Sequence, residues 1–589
     1  VRIRLLEIEN FRGIKSLKWW LPEDQRLVAL VGPGDSGKST ILDAIHYLLG
    51  DRWSIPFADT DFYGVDVTRP ISIKAVIVDI PAALRKDNAF GLWLSGLDSE
   101  GELHHDPEDS CTPALLVRLT VDESLEPKWT VERADGSSQM LSSSQRAHFS
   151  TFKVDDRNDT QLRWSRTSAL GRLSAREGGD RDALAAASRA ARTALADHES
   201  SSLAEIALKV QVRANKIGGG RFTGIKPGLD TSRSAMGAGL ALYEDLVPLT
   251  SYGLGSRRLA SFAVQQLASG SRAVAVVDEI EGGLEPHRAV RLLKYLLDEE
   301  DYSQVIVTTH SPIVVEQAQL ENLATVQTRD GVVTVTNLGG SDKRLMRLRR
   351  SRPSSFLSRR VVVVEGATEY GLLLACVDAW DEERTEEGLS TSAGEGVALQ
   401  DGQGGSEVPL RASAMAELGF KVAGFLDNDD RSVDAAAEAA SAAGVEIIRW
   451  DEGFNSEAQI CAGLEAKGLT SLLKVAVERR NAEDTVLQDL NVVDPKSSLS
   501  SLDVQEWIDA GTSLADARKR VVAAADKRKW FKEVDGGKAL GRWLMRHRKS
   551  KTLAATMERL TEIHAFIYPE PPVPTTVVTE QSRGVPSDG

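Results

Sequence analysis

Residues 422–431, VAGFLDNDDR, run from an apolar stretch into Asp427, Asn428, Asp429 and Asp430. Carboxylates at this spacing repel, and each raises the pKa of the next unless a partner takes up the charge. A divalent metal ion is one such partner. The other reading is a solvated turn, where Asp and Asn are favoured because their side chains hydrogen-bond to nearby backbone. Upstream, RRVVVVEGATEYGLLLA (359–375) is a buried-type strand ending in Glu365, followed by a helix whose first turn carries Glu369. Taken alone, these are two carboxylates favoured by a helix N-terminus. Parallel sheets, however, build sites at the carboxyl ends of adjacent strands. Glu365 at one strand end and Asp427 and Asp429 at another can converge on one crevice, with hard oxygen ligands suited to a divalent ion.

A second set of residues points to nucleotide chemistry. LVALVGPGDSGKSTILDAI (27–45) reads as strand, glycine loop, helix and fits GxxxxGK[ST]. Its glycines let backbone N–H groups wrap a phosphate, Lys38 reaches the outer phosphates, and the Ser39 hydroxyl is a Mg²⁺ ligand. Such a loop needs an acidic strand beside it. AVAVVDEIEGGLEPHR (273–288) supplies Asp278 for Mg²⁺ through water and Glu279 to polarise the attacking water, and VIVTTHSP (305–312) ends in His310, placed to sense the γ-phosphate.

With the opening LLEIENFRGIKSLKW, this order of motifs resembles the ABC-type ATPase heads of the SMC and RecF class. The resemblance implies ATP and Mg²⁺ held by Gly32, Gly34, Asp35, Ser36, Gly37, Lys38, Ser39, Thr40 and Asp278, and a homodimer closed around ATP. The motif that contacts the partner's ATP in that class would be SYGLGSRRLASFAV (251–264), where Gly253, Gly255 and Ser256 stand in a weakened form of the pattern.

The strand ending in Glu365-Gly366, with Glu369 four residues on, and the later GFLDNDD look like the Toprim domain, whose Glu and DxD bind one or two Mg²⁺ ions. An ABC head followed by a Toprim domain resembles the OLD (overcoming lysogenisation defect) nucleases, over roughly residues 1–560. That resemblance adds Ser456 and Glu457 in WDEGFNSEAQI (450–460) as metal-site residues. It also implies a late lysine in RKWFKEVDGGKALGRWL (528–544), Lys532 by first choice or Lys538. Asn455 or Ser456 equally reads as a helix N-cap. Mg²⁺ or Mn²⁺ is the implied ion, DNA the substrate, and antiphage defence or DNA repair the setting; some relatives work beside a helicase-like protein.

The elements that must position these residues form two α/β alternations. Residues 1–340 are expected to be an ABC-type ATPase domain with mixed sheet and helices, interrupted at about 170–245 by a helical insertion that is either a dimer contact or a packed lid. ALLVRLTV and KWTVERA read as antiparallel strands. Residues 341–358 read as a basic linker, 359–567 as a Toprim Rossmann-like parallel-sheet domain with a C-terminal helical part, and 568–589 as a disordered tail.

At 589 residues, with 42% apolar and 27% charged residues, the chain is long enough for several cores. Cys111, Cys376 and Cys461 lie far apart without a CxxC, which suggests neither disulfides nor a thiolate zinc site. No apolar run approaches the ~20 residues of a membrane span, and the N-terminus lacks a signal peptide's apolar block; the expected location is cytoplasmic. The net charge of −15 argues against a generally basic surface. Two stretches are locally basic: 341–360 has eight Lys/Arg against one Asp, and 518–551 has thirteen against three acids. Each is a DNA track or a solvated linker or face. The expected function is an ATP-controlled, metal-dependent DNA endonuclease or nickase. The rival is a non-cleaving SMC/RecF-like clamp with a vestigial Toprim domain.

Overall fold

The computed structural model describes residues 1–52, 54–156, 160–162, 168–176, 190, 242–244, 247–270, 272–298, 300, 302–339, 342–495 and 497–569. Most of the helical insertion expected at about 170–245 lies outside the described residues. The chain divides into two compact units. The first comprises Val1–Asp342 with Arg349–Leu357; the second comprises Lys343–Leu348 with Ser358 onward.

In the first unit the β-branched runs Thr151–Val154, Ala273–Val277, Tyr302–Thr308, Leu27–Val31 and Leu323–Arg329 lie side by side as parallel strands. Four of the five alternate little between polar and apolar because they are covered on both faces, as parallel strands must be. The sheet continues through Val332–Asn337 and Ile14–Trp20 into an antiparallel portion formed by Arg2–Phe11, Ile71–Val78, Thr112–Val121 and Pro127–Glu132. The expected antiparallel pair is there, with Leu119 opposite Trp129.

The second unit is built on four parallel strands in the order Val397–Asp401, Arg360–Val364, Lys421–Leu426, Glu446–Arg449. The chain leaves Arg360–Val364 to one side and returns on the other, so the crevice at the carboxyl ends of Arg360–Val364 and Lys421–Leu426 is a topological switch point. Helices Ser456–Ala462, Ala466–Arg480, Glu483–Val493, Val504–Asp509, Leu514–Lys527, Val534–His547 and Ala554–Ile567 complete the unit around a core that includes Trp450, Trp507, Trp530 and Trp543.

Three features differ from the sequence reading. The edge strand Val397–Asp401, which the sequence reading does not single out, pairs with Arg360–Val364, far away in sequence. Residues Lys343–Ser351, expected within a basic linker, are helical, and Arg349 is buried, donating to the carbonyls of Glu316 and Ala318 that a short helix leaves free. Tyr568, expected in the tail, is buried with its hydroxyl 2.7 Å from Asp381 Oδ1. No described helix is long and apolar enough to cross a membrane.

Candidate functional site

The phosphate loop of the first unit leaves the central strand Leu27–Val31 and enters helix Lys38–Leu49 through Gly37, at φ 94°. Gly32 approaches the neighbouring strand so closely that a Cβ there would stand 2.4 Å from the Val326 carbonyl oxygen. Only glycine fits that approach. Asp35 also has positive φ, and Ser36 is buried while Gly34 and Asp35 are exposed. Lys38 is buried against its own loop, with Nζ 3.0 Å from Gly32 O, 2.7 Å from Pro33 O and 3.3 Å from Ser36 Oγ. Burial lowers its pKa to about 8, against the opposing pull of Asp278, Asp35, Glu279 and Glu281.

The three strand ends meet as their parallel pairing requires. Ser39 Oγ donates to Asp278 Oδ1 at 2.9 Å, and Thr308 Oγ1 donates to the same oxygen at 2.7 Å. This serine–aspartate pair is the donor set a nucleotide-bound Mg²⁺ uses, so the residues present fit ATP with its ion. Thr40 follows on the first helical turn. Glu279 is exposed with a left-handed φ of 47°, its N–H bonded to Thr308 Oγ1 at 2.7 Å. His310 is exposed at the strand end, and partial desolvation of its ring, with the nearby Lys38, keeps its pKa below the usual value.

Two residues here were missed in the sequence. Glu281 accepts from the His310 N–H at 2.6 Å and from Thr309 Oγ1 at 2.7 Å, gripping the strand end that carries His310. Arg258, buried on helix Leu254–Ser269, donates to the Asp278 carbonyl. The acidic run DEIE was a signal for Glu281; nothing local marked Arg258. Gly253 caps that helix, Gly255 packs against the Gly283 carbonyl, and Ser256 is half-buried on the first turn.

The second unit gathers the other set. Glu365 follows strand Arg360–Val364, and its Oε2 accepts from the Asp427 N–H at 3.0 Å. Glu369, buried on the first turn of helix Ala367–Glu386, accepts from Ser456 Oγ at 2.8 Å, and that hydroxyl lies 3.3 Å from Asp427 Oδ1. Trp450 Nε1 donates to Ser456 Oγ at 2.9 Å, which leaves the serine proton for the carboxylates. Asn455, not Ser456, caps the helix, bonding the Ala458 N–H at 2.9 Å. The turn reading holds for part of DNDD: Asp430 bonds the Ser432 N–H and hydroxyl, and Asn428 is tied to the Trp450 and Phe454 carbonyls. Asp429 is exposed at the rim.

Burial, then Glu369, Glu365, Glu457 and Asp429, raise Asp427 far above the ordinary carboxylate range. Burial raises Glu365 as well, against its bond from Asp427. Glu457 is 3% exposed, and neither of its carboxylate oxygens has a hydrogen-bond partner. Burial raises its pKa and Lys532 lowers it, with Nζ 3.8 Å from Oε2. The same burial depresses Lys532, but attraction by Glu457, Glu369, Asp526 and Asp427 outweighs it and the lysine is raised. Lys538 lies one helix turn inside Val534–His547.

Backbone contact between two helices sets the spacing of these groups. On Ala367–Glu386, a Cβ at Gly371 would stand 2.0 Å from the Val534 carbonyl oxygen. On Val534–His547, one at Gly537 would stand 2.2 Å from that of Thr368. One helix begins beside Glu369 and the other begins just after Lys532.

Among the described residues, no three acidic, His or Cys side chains are drawn together closely enough to hold one ion between them. The donor set nonetheless suits a hard cation: hard oxygens, a buried carboxylate with no hydrogen-bond partner, and carboxyls pushed up by burial and mutual repulsion.

Residues 27–316 match the family described as "AAA domain, putative AbiEii toxin, Type IV TA system". The chain is 26% identical over 505 residues to the OLD nuclease of Thermus scotoductus, covering 79% of this chain and 89% of that relative. It is 36% identical over 76 residues to structural maintenance of chromosomes protein 1 of Caenorhabditis elegans, 12% of this chain and 6% of the other. A solved SMC head bound to the C-winged helix domain of ScpA aligns with 58% of this chain and 98% of its own, at 17% identity and a TM-score of 0.33. The motif order, the ATPase family match and an OLD relative aligned along most of its length agree: the chain carries an ATPase-type domain and is similar to the OLD nucleases.

Proposed function

We propose that the chain is a divalent-metal-dependent DNA endonuclease or nickase, its second unit a Toprim domain whose cleavage centre is governed by the ATPase centre of the first. The observation that carries this reading is the carboxylate crevice. Glu365 and Asp427 end adjacent strands, Glu369 and Ser456 close it from two helices, and Glu457 is buried with neither oxygen hydrogen-bonded. Such a charge set destabilises a fold unless a cation or bound protons offset it.

Glu365, Glu369, Asp427, Asp429, Ser456 and Glu457 would hold Mg²⁺ or Mn²⁺, which when bound activates water and neutralises charge developing on the cleaved phosphodiester. The chain's own part is positional. Ser456 holds Glu369 and Asp427 in register, and Lys532 presents an ammonium to the oxygens that become charged as the bond breaks. In the first unit Lys38, Ser39 and Asp278 would hold ATP and its Mg²⁺, Glu279 would orient water, and His310 would contact the γ-phosphate. Gly255 and Ser256, at the start of their helix, would meet the nucleotide of a second copy in a homodimer. A cytoplasmic setting in antiphage defence or DNA repair accompanies this reading, with a helicase-like protein as a candidate partner.

The test is supercoiled plasmid incubated with the full chain, with and without ATP, in Mg²⁺, Mn²⁺ or Ca²⁺. Nicked or linear product in Mg²⁺ or Mn²⁺, lost in Asp427→Asn, is expected. Intact plasmid under every condition, or undiminished cleavage by Asp427→Asn, overturns the reading.

A further inference from the structure

The segment that delivers Lys532 to the carboxylates is tied to a buried acid the cleavage reading does not use. Helix Leu514–Lys527 ends at Arg528, Lys529 turns the chain with a left-handed φ of 53°, and Trp530 and Phe531 then enter the core. Trp530 Nε1 donates to Asp489 Oδ2 at 2.9 Å, and Thr368, beside Glu369, donates through Oγ1 to the Phe531 carbonyl at 3.0 Å. Lys532 emerges from these two anchors.

Asp489 is 5% exposed, yet two guanidinium groups share it: Arg480 at 3.5 Å and Arg528 at 3.4 Å. One carboxylate cannot neutralise both. Each guanidinium has five N–H donors and is more than a third exposed, so part of each and one net positive charge reach the surface, although Arg528 Nε itself is buried. Both sit at the carboxyl ends of helices, where the macrodipole favours cations. Residues 479–480 and 526–533 together hold six Lys/Arg against two acids, in a chain of net charge −15. Those two acids are engaged: Asp526 with Lys532 at 3.4 Å and Glu533 with Arg479 at 3.1 Å.

We propose that Arg480 and Arg528, held in place by Asp489, are a phosphate-binding pair that carries the DNA backbone past Lys532 into the carboxylate crevice. The inference rests on reading that crevice as a phosphodiester site. A planar guanidinium fixed by one carboxylate keeps a pre-oriented edge for a phosphate, whereas a free lysine offers only a mobile charge. Asp489 is then a positioning residue: it sets the two arginines and, through Trp530, the turn that bears Lys532.

The test is binding of a labelled random-sequence duplex to the full chain in EDTA across a salt series, so that no cleavage is involved. Each phosphate contact contributes about 0.9 to the slope of log affinity against log salt. Arg480→Gln with Arg528→Gln should therefore flatten that slope by nearly two, while ATP turnover is unchanged. Lys549→Gln with Lys551→Gln, the same charge loss at exposed positions, should change it less than half as much. Because Asp489 would be left buried without its cations, the triple variant adding Asp489→Asn is measured in parallel and should show the same flattened slope in a stably folded chain. An unchanged slope in a chain that still binds DNA, or equal flattening by the Lys549/Lys551 pair, overturns this proposal alone. Absence of binding by the unaltered chain overturns the DNA-cleavage reading together with it.

Discussion

The Asp427 N–H donates to Glu365 Oε2 at 3.0 Å, so the backbone of one strand end holds the side chain of its neighbour. Glu365 thus points into the crevice even when Asp427 is changed, because the bond comes from the main chain. Asp427→Asn should leave the strand ends in place and remove one acidic ligand. Cleavage is expected to fall below detection, and ATP turnover to persist. Lys38→Ala or Glu279→Gln should do the reverse to ATP turnover, since these residues belong to the other unit. Parallel assays of phosphate release and plasmid nicking check both.

Stability should report the same crowding. Asp427, Glu365 and Glu457 are raised in the folded chain relative to the unfolded one, where Asp titrates near about 3.9. Between the unfolded and raised values the folded chain holds protons that the unfolded chain has lost. Their stabilisation is therefore complete below the unfolded pKa and is lost as pH rises through the folded one. Melting of the metal-free chain should accordingly weaken from pH 5 toward pH 8, and less steeply in Asp427→Asn. Added Mg²⁺ should restore the loss in the unaltered chain; an identical pH profile for the two chains would contradict the assigned repulsion.

Lys532 and Lys538 are separated by one measurement. Removing an ammonium that stabilises charge only in the transition state costs on the order of 10²-fold in rate. Lys532→Ala should show that loss in single-turnover cleavage with duplex binding nearly unchanged, and Lys538→Ala should cleave at close to the unaltered rate. The opposite order would move the role to Lys538.

Glu281→Gln tests the grip on His310. The amide keeps one acceptor for the His310 N–H or the Thr309 hydroxyl and loses the charge, weakening bonds worth about 1.5–3 kcal/mol to a charged acceptor. ATP turnover should fall about tenfold, with nucleotide affinity little changed. Equal loss of both would mean that Glu281 supports binding, not the position of His310.

Arg349→Gln should behave as a core substitution. Its guanidinium satisfies two carbonyls at the end of helix Pro312–Gln317, so the expected effect is a loss of about 1–3 kcal/mol of stability with no change in the salt dependence of DNA binding. A flattened salt slope would return Arg349 to the DNA-facing surface.

The motifs were legible because their chemistry is local. GPGDSGKS must be a glycine turn before a helix, and apolar runs ending in Asp278, Glu365 and Asp427 must be buried parallel strands, each with its tip at the carboxyl edge of its own sheet. What escaped depended on distant partners. Val397–Asp401 is a strand only because Arg360–Val364 pairs with it, and its half-buried, glycine-flanked sequence gives no period. Arg349 looked like one more cation in a basic run, since charge counting cannot tell which member meets two orphan carbonyls. Asp489 had no motif at all; its meaning comes from Trp530, 41 residues on.

The glycine contacts between Ala367–Glu386 and Val534–His547 make those two helices behave as a single strut. Main chain touches main chain there, without the compliant side chains that would let one helix slide on the other. Glu369 and Lys532 hang from the same end of that strut. A signal arriving from elsewhere in the chain can shift them together or expose them, but has little freedom to alter the gap between them. Control of this centre is therefore expected to work as a gate, changing how often DNA reaches it, while the rate of the bond-breaking step once DNA is seated stays constant.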